Sequence, residues 1–251
     1  MRLFSRLALS VALIGALALS SCTNPSPSAS GKADPAILAS LTPQQQAAVR
    51  ALIRDTLIEN PDILTEASLA LTAREKAKAM TKVMAEAADV SMGPKDAPIT
   101  VVEFFDYRCG FCHAANDYVF NLVKTRKDVR VVFKELPILS AESEEASRAA
   151  LAIHMQNPAK YPEFHRALMQ FKGDLNMTVV ERIAGGMGID IARMKEDMDK
   201  PAVMDHISAV RGQAQELGIN GTPGFIVNGE MVSGFNQPAI DAAINAAAGK
   251  T

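Results

Sequence analysis

The spacing of apolar residues divides the chain into stretches of different period. Val49, Leu52, Ile53, Thr56 and Leu57 recur on one helical face. The start of that helix is marked by Thr42 as N-cap, Pro43 at the first helical position and Gln45 as capping-box partner. Asn60-Pro61-Asp62 breaks it and starts another, with Ile63 and Leu64 early on its apolar face. Ala70, Ala73, Ala77, Met80, Met84 and Ala87 then follow at alternating steps of three and four. That is the spacing of a helix-helix seam, although alanine buries little and a solvated connecting helix reads the same way. From Val90 the pattern changes. Ile99 to Phe105, ITVVEFF, is a β-rich run suited to a buried strand. Cys109 to Lys127 reads as a helix and Val129 to Phe133, VRVVF, as a second strand, so a right-handed parallel crossover is expected. Ala141 to Leu217 reads as several helices separated by Pro and Gly. Gly224 to Asn228 and a short strand near Met231 flank Gly229 as a hairpin, and Pro238 to Ala248 makes a closing helix.

The ends and the composition place this pattern in a compartment. Met1 to Arg6 carries Arg2 and Arg6, Leu7 to Ser20 is uncharged and rich in Leu and Ala, and Leu19-Ser20-Ser21-Cys22 closes the run. This is a secretory leader over 1–21, too short for a permanent span. Its end resembles a lipobox, which makes Cys22 the lipidation candidate; a plain signal peptide with an incidental cysteine is the alternative. Residues 22–36 are Pro/Ser-rich and read as a flexible tether. Thr23, where an aspartate would signal inner-membrane retention in some bacteria, slightly favours the outer membrane. The formal charge of −2 and the lack of a basic block argue against nucleic acid as a partner. Residues 37–88 carry amphipathic faces yet are too few for a core. They need the main domain or other copies of themselves, as a helical oligomerisation or stalk segment.

With Cys22 lipidated, Cys109 and Cys112 are the cysteines that remain, in a disulfide-permissive compartment. A bond between them closes almost no loop, so it is poorly suited to stapling the fold. Cys109-Gly-Phe-Cys112 fits a redox couple, half of a zinc site or, with His113, a c-type haem attachment. Zinc needs two further ligands, and His154, His165 and His206 form no close pair in sequence. Haem sits poorly with a buried strand before the motif. Copper on the two thiolates, aided by Met80/Met84 or Met194/Met198 at i, i+4, is the alternative function, although such Met pairs usually fill cores. An inert interaction module is a third class. For the redox reading there is a mechanical reason. A thiol at a helix N-terminus meets unpaired amides and the helix dipole, and its pKa falls from about 8.5 to about 3.5–7.5.

Val102-Glu103-Phe104-Phe105 before DYRCGFC, with ELGINGTPGFIVNGEMVSG far downstream, resembles the DsbA-like branch of the thioredoxin superfamily. The resemblance implies an α/β thioredoxin fold over 89–248 with a helical insertion at about 141–217. It implies a thiol:disulfide oxidoreductase that oxidises or isomerises disulfides in exported proteins and carries no cofactor beyond the Cys109–Cys112 pair. Cys109 would attack, Cys112 resolve, Pro223 be a cis-proline facing the pair, and Thr222 offer its backbone to substrate. Gly110, Phe111 and His113 would tune the couple. Glu103 would be a buried acid exchanging a proton with Cys112; pairing with Lys134 across neighbouring strands is the other reading of that residue. LTPQQQAAVRALIRDTLIENPDILTEASLALTAREKAKA resembles the N-terminal region of the suppressor-of-copper-sensitivity protein C family, whose members trimerise through it and act as isomerases. The partners so implied are cysteine-containing exported proteins, a membrane redox partner, other copies of the chain and, through Cys22, the membrane of the periplasmic compartment.

Overall fold

A computed structural model describes residues 35–85 and 90–249. The leader, Cys22, the tether before Pro35, and Ala87 lie outside the described residues. The chain divides into two compact units, one ending at Ile63 and one starting at Leu64.

The first unit holds α1 (Pro35–Ser40), α2 (Pro43–Glu59) and the opening of α3 (Asp62–Ala85). α2 starts where the sequence marks it. The Thr42 hydroxyl accepts from the Gln45 amide at 3.3 Å, and Gln45 Oε1 accepts from the Thr42 amide at 2.9 Å. Asn60 ends it, with its backbone N–H bonded to the Thr56 carbonyl. Val49, Leu52, Ile53 and Ile58 of this unit are exposed.

The second unit is built on a five-stranded sheet of order β1-β3-β2-β4-β5, comprising β1 (Ser91–Met92), β2 (Ile99–Phe105), β3 (Val129–Glu135), β4 (Gly224–Val227) and β5 (Glu230–Ser233). β2 and β3 run parallel with Ile99 beside Val129 and Phe105 beside Glu135. Between them in the chain lies α4 (Gly110–Thr125), completing the expected crossover. β1, too short to leave a periodic signal, pairs antiparallel with β3. β4 is antiparallel to β2 and to β5. The β4–β5 turn is Asn228-Gly229, both at positive φ (43° and 92°), as a tight hairpin matching strand twist requires. Asn228 Oδ1 also accepts from the Thr100 amide at 2.7 Å, which ties the turn to the start of β2.

Both sheet faces are covered, which is why the central strands are continuous apolar runs rather than alternating ones. On one face, Ile99, Val101, Phe105, Val131, Phe133, Phe225 and Val227 meet the main core, to which α4, α10 (Gln237–Ala248) and the inserted helices contribute. On the other, Val102, Phe104, Val132 and Ile226 pack with Ala79 and Val83 of α3 and with Val210, Ala214 and Leu217 of the last inserted helix. The insertion comprises α5 (Ala141–Gln156), α6 (Tyr161–Gln170), α7 (Met177–Gly186), α8 (Ile191–Met198) and α9 (Pro201–Leu217), matching the expected span. Gly218 at φ 74° ends α9 in the left-handed cap that favours glycine.

The contacts of α3 differ from the expected seam. Ala70, Ala73 and Ala77 are exposed, whereas Ala79 and Val83 are buried and Met80 and Met84 half-buried. The sheet lies against the C-terminal part of this helix, so those residues belong to the core of the second unit.

Candidate functional site

β2 ends at Phe105, and Asp106-Tyr107-Arg108 leads into α4, whose N-cap is Cys109. Cys109 therefore lies where the first amides of the helix have no intrahelical partner. Cys109 and Cys112 are both free and buried in this structure. The Cys109 sulfur stands 3.1 Å from the Thr222 carbonyl, to which it donates when it carries its proton, across the sheet from β2 to the loop before β4. The Thr222–Pro223 peptide is cis, as the resemblance implied. Pro223 leads into β4, and its carbonyl accepts from the Gly234 amide at 3.0 Å. Gly224 follows because a Cβ there would stand 2.9 Å from Ile219 Cγ2. A cleft of about 390 Å³ runs beside this loop, lined by Gly218 to Phe225 and Met231 to Gly234.

The two sulfurs are electrostatically unlike. A hydrogen bond from the Cys112 thiol holds the Cys109 pKa down to about 5 from 9.0, helped by the Thr222 side chain and the Cys112 and Phe111 amides, against the cost of burial. Cys112 is buried inside the first turn, and burial pushes its thiol up, as does its bond to Cys109. At neutral pH the outer sulfur is a thiolate and the inner one keeps its proton. That is the division of labour between an attacking and a resolving thiol.

Glu103 is buried in the middle of β2. Burial first, then the charge of Cys109, raises its pKa to about 8 from 4.5. The alternative pairing with Lys134 is overturned by register. Glu103 stands beside Phe133 on β3 and Phe225 on β4, whereas Lys134 stands beside Phe104. In-register neighbours share a face and successive residues alternate, so Glu103 and Lys134 project from opposite faces of the sheet. Glu103 projects from the face that carries the core in which Cys109 and Cys112 lie.

Phe111 is 70% exposed in the dipeptide between the thiols, and Gly110 has no atom within 4 Å of where a Cβ would stand. His113 is half-buried, and its Nε2 lies 2.6 Å from the Tyr107 carbonyl, where it donates. The imidazole is thus spent on fastening the loop before the helix and is not among the groups that lower the Cys109 pKa. The same bond occupies the ring nitrogen that a haem iron would need, and Cys112 is fully buried, so neither side chain is arranged for haem attachment. Met194 and Met198 are buried in the core, and Met80 and Met84 pack beside the second sheet face, which accounts for the methionine pairs as packing. Among the described residues no group of three or more His, Cys, Asp or Glu is placed to hold a metal. No helix there is long and apolar enough to cross a membrane.

Sequence reasoning passed over Asp106, which is fully buried. Its Oδ1 accepts from the Arg108 amide at 2.7 Å and the Ser143 hydroxyl at 2.7 Å, and its Oδ2 from the Ile138 and Leu139 amides at 2.8 and 3.0 Å. An aspartate two residues before a backbone donor at a helix start is an Asx-turn signal, legible in Asp106-Tyr107-Arg108. Its partners at 138–143 were not. Nearby, the buried Tyr107 hydroxyl meets His165 Nδ1 at 3.1 Å, and Tyr161 donates to Glu135 at 2.5 Å.

A nucleophilic N-cap thiolate, a buried resolving thiol, a cis-proline loop and a mixed sheet define the class as a thioredoxin-fold dithiol protein. The chain belongs to the DSBA-like thioredoxin domain family, whose model matches residues 100–243. A second model, the copper resistance protein ScsC N-terminal domain, matches residues 45–78. Among solved structures, a thioredoxin-like oxidoreductase from Silicibacter pomeroyi DSS-3 is 42% identical with a TM-score of 0.60, covering 63% of this chain and 91% of that one. A linker-deletion mutant of Proteus mirabilis ScsC is 27% identical with a TM-score of 0.65, covering 84% of this chain and 99% of that one. Among curated relatives, disulfide bond formation protein D of Bacillus subtilis strain 168 is 27% identical over 157 residues, covering 57% of this chain and 69% of the relative. Na(+)/H(+) antiporter NhaA 3 of Salinispora tropica is 29% identical over 156 residues, 62% of this chain, but the chain spans 24% of the antiporter's length.

Proposed function

We propose that this protein is a thiol:disulfide oxidoreductase of the periplasm, oxidising or isomerising disulfides in exported proteins. The observation that carries the reading is the pairing of Cys109, drawn down to about 5 against the Thr222-Pro223 loop, with a buried, protonated Cys112. In the reductive half, the Cys109 thiolate attacks one sulfur of a substrate disulfide. The Cys109–substrate bond forms, the substrate bond breaks, and the second substrate sulfur leaves as a thiolate. Cys112 then loses its proton, attacks Cys109, and expels the first substrate sulfur, leaving the Cys109–Cys112 disulfide. Reversal of these steps oxidises a substrate dithiol. Glu103 stands at about 8 while Cys109 carries its charge; when the mixed disulfide removes that charge, the carboxylate form of Glu103 becomes easier to populate, accepts the proton that Cys112 gives up and returns it in the reverse direction. The cleft beside Thr222 and Pro223 receives the substrate backbone. A thiolate as stable as that of Cys109 favours the dithiol form and so lends the disulfide oxidising power.

The exposed apolar residues of α2 and early α3, together with the match at 45–78, support assembly of several copies through these helices, three by analogy with the family resembled. Such an assembly suits isomerisation, because it presents several thiols to one misfolded chain. A leader, lipid on Cys22, outer-membrane anchoring and a membrane redox partner complete the proposal. Retention of the protein in membranes that is lost on Cys22→Ser would support the anchor; an unchanged distribution would end it. The decisive experiment for the activity is insulin reduction and scrambled-ribonuclease refolding by wild type and Cys109→Ser. Turnover surviving in the variant would refute the assignment.

A further inference from the structure

We propose that Asp106 is a positioning residue for thiol exchange, a buried carboxylate clamp that holds the Cys109 loop and the Ile138–Ser143 segment in one arrangement. The inference rests on the oxidoreductase reading and concerns how that site is held and what it receives. A carboxylate offers about four acceptor positions, and here all four are taken, by three backbone amides and one hydroxyl. Two of those donors, Arg108 N and Ser143 Oγ, share Oδ1, and the other two, Ile138 N and Leu139 N, share Oδ2. An amide side chain fails in this place, since its NH₂ must face a pair of donors whichever way it turns.

The clamp reaches the chemistry through the backbone. The Asp106 carbonyl accepts from the Cys109 amide at 3.0 Å, which sets the direction in which the chain enters α4. The same residue therefore holds the loop that aims the Phe111 and Cys112 amides at Cys109. At its other end the clamp fixes Ile138 and Leu139, whose side chains remain 45% and 55% exposed. Ile138 lines a groove together with Ile219 and Asn220, and those two residues also line the cleft beside Thr222 and Pro223, so the apolar ledge is continuous with the cleft that faces Cys109. Continuity with the thiol commits this ledge to one occupant, an extended apolar stretch flanking a substrate cysteine. An unfolded exported chain supplies such a stretch, and a small disulfide does not.

The test uses the full chain with Asp106→Asn and with Ser143→Ala, which removes a single donor from the clamp. The Cys109 thiolate absorbance near 240 nm is followed against pH in the reduced proteins, a readout that needs no turnover. Reduction of an apolar-flanked peptide disulfide and of glutathione disulfide is then measured. Asp106→Asn is expected to raise the thiolate midpoint by about one pH unit and to lower kcat/KM on the peptide by about tenfold or more, chiefly through KM. Ser143→Ala should move both in the same direction by less. Asp106→Glu, which keeps the charge but lengthens the arm, should not restore wild-type behaviour. Wild-type midpoints and peptide KM in Asp106→Asn would overturn the clamp. If that variant does not fold, the same result in Ser143→Ala overturns it. Equal losses on peptide and on glutathione disulfide would remove the apolar ledge. A wild type that titrates as expected but turns over neither substrate would instead overturn the oxidoreductase reading, and the assigned role in exchange with it.

Discussion

The helices α2 and α4 are built alike and buried oppositely. Each has a defined N-cap and a run of apolar residues on one face. α4 buries Cys112, Ala115, Val119 and Leu122 against the sheet, whereas α2 has no buried residue. Local physics makes both helices, but a face acquires a role only when something covers it. For α4 the cover is the strand pair on either side of it in the chain. For α2 the proposed cover is further copies of the protein. α3 holds both conditions in one helix, with Leu64, Leu69 and Leu71 exposed and Ala79 and Val83 in the core.

Cys109→Ser breaks the catalytic side of the comparison most severely. Insulin reduction should fall by about a thousandfold or more, since no other group supplies the nucleophile, while circular dichroism and molar mass stay as in wild type. Leu52→Asp combined with Leu64→Asp addresses the other side. Light scattering should show molar mass dropping from a multiple to that of one chain, with scrambled-ribonuclease refolding falling alongside; a wild type already monomeric would refute assembly through these helices.

The two halves of α3 permit a comparison within one element. Val83→Ala should cost about 2 kcal/mol in urea unfolding, two buried methyl groups plus a cavity. Leu69→Ala, at 65% exposure, should change stability of the isolated protomer by less than about 0.5 kcal/mol. A truncation at Ser91 would remove Ala79 and Val83 from the second sheet face and confound any test of the stalk.

pH sharpens the contrast between the two buried acids of the site. Glu103 in the folded chain keeps its proton up to about 8, against 4.5 when unfolded, so its contribution makes stability fall as pH rises across that window. Cys109 releases its proton at about 5 when folded, against 9.0 when unfolded, and makes stability rise. In the reduced protein the two oppose each other between about 5 and 8. Glu103→Gln should uncover the rising slope, at most about 1.4 kcal/mol per pH unit and less where solvent screens the sulfur. A stability profile unchanged by the substitution would remove Glu103 from the proton inventory. The smallest effect is expected from His113→Ala. With its imidazole bound to the Tyr107 carbonyl, the Cys109 midpoint should move by only about a few tenths of a unit, and a shift above about one unit would restore it as an electrostatic tuner.

Much of this was legible along the chain. The capping box at Thr42, the break at Asn60-Pro61, the two strands around the CxxC helix and the Asn-Gly hairpin all act over a few residues, and local chemistry suffices to specify them. Cys109, Cys112, Thr222 and Pro223 were named from motif and resemblance, and the fold brings Cys109 to 3.1 Å from the Thr222 carbonyl. What the local pattern missed lies at long range. Asp106 meets donors more than thirty positions away. The apparent Glu103–Lys134 neighbours fall on opposite faces because a register of one residue decides the face. The buried half of α3 is chosen by where the sheet lies, which its own alanine spacing does not encode. By itself the sequence determined the longer elements, the chemistry on offer and the family. Only the tertiary structure decided which carboxylate serves the thiols and which one ties the loop, because burial, register and hydrogen-bond partners are properties of residues distant in the chain and adjacent in space.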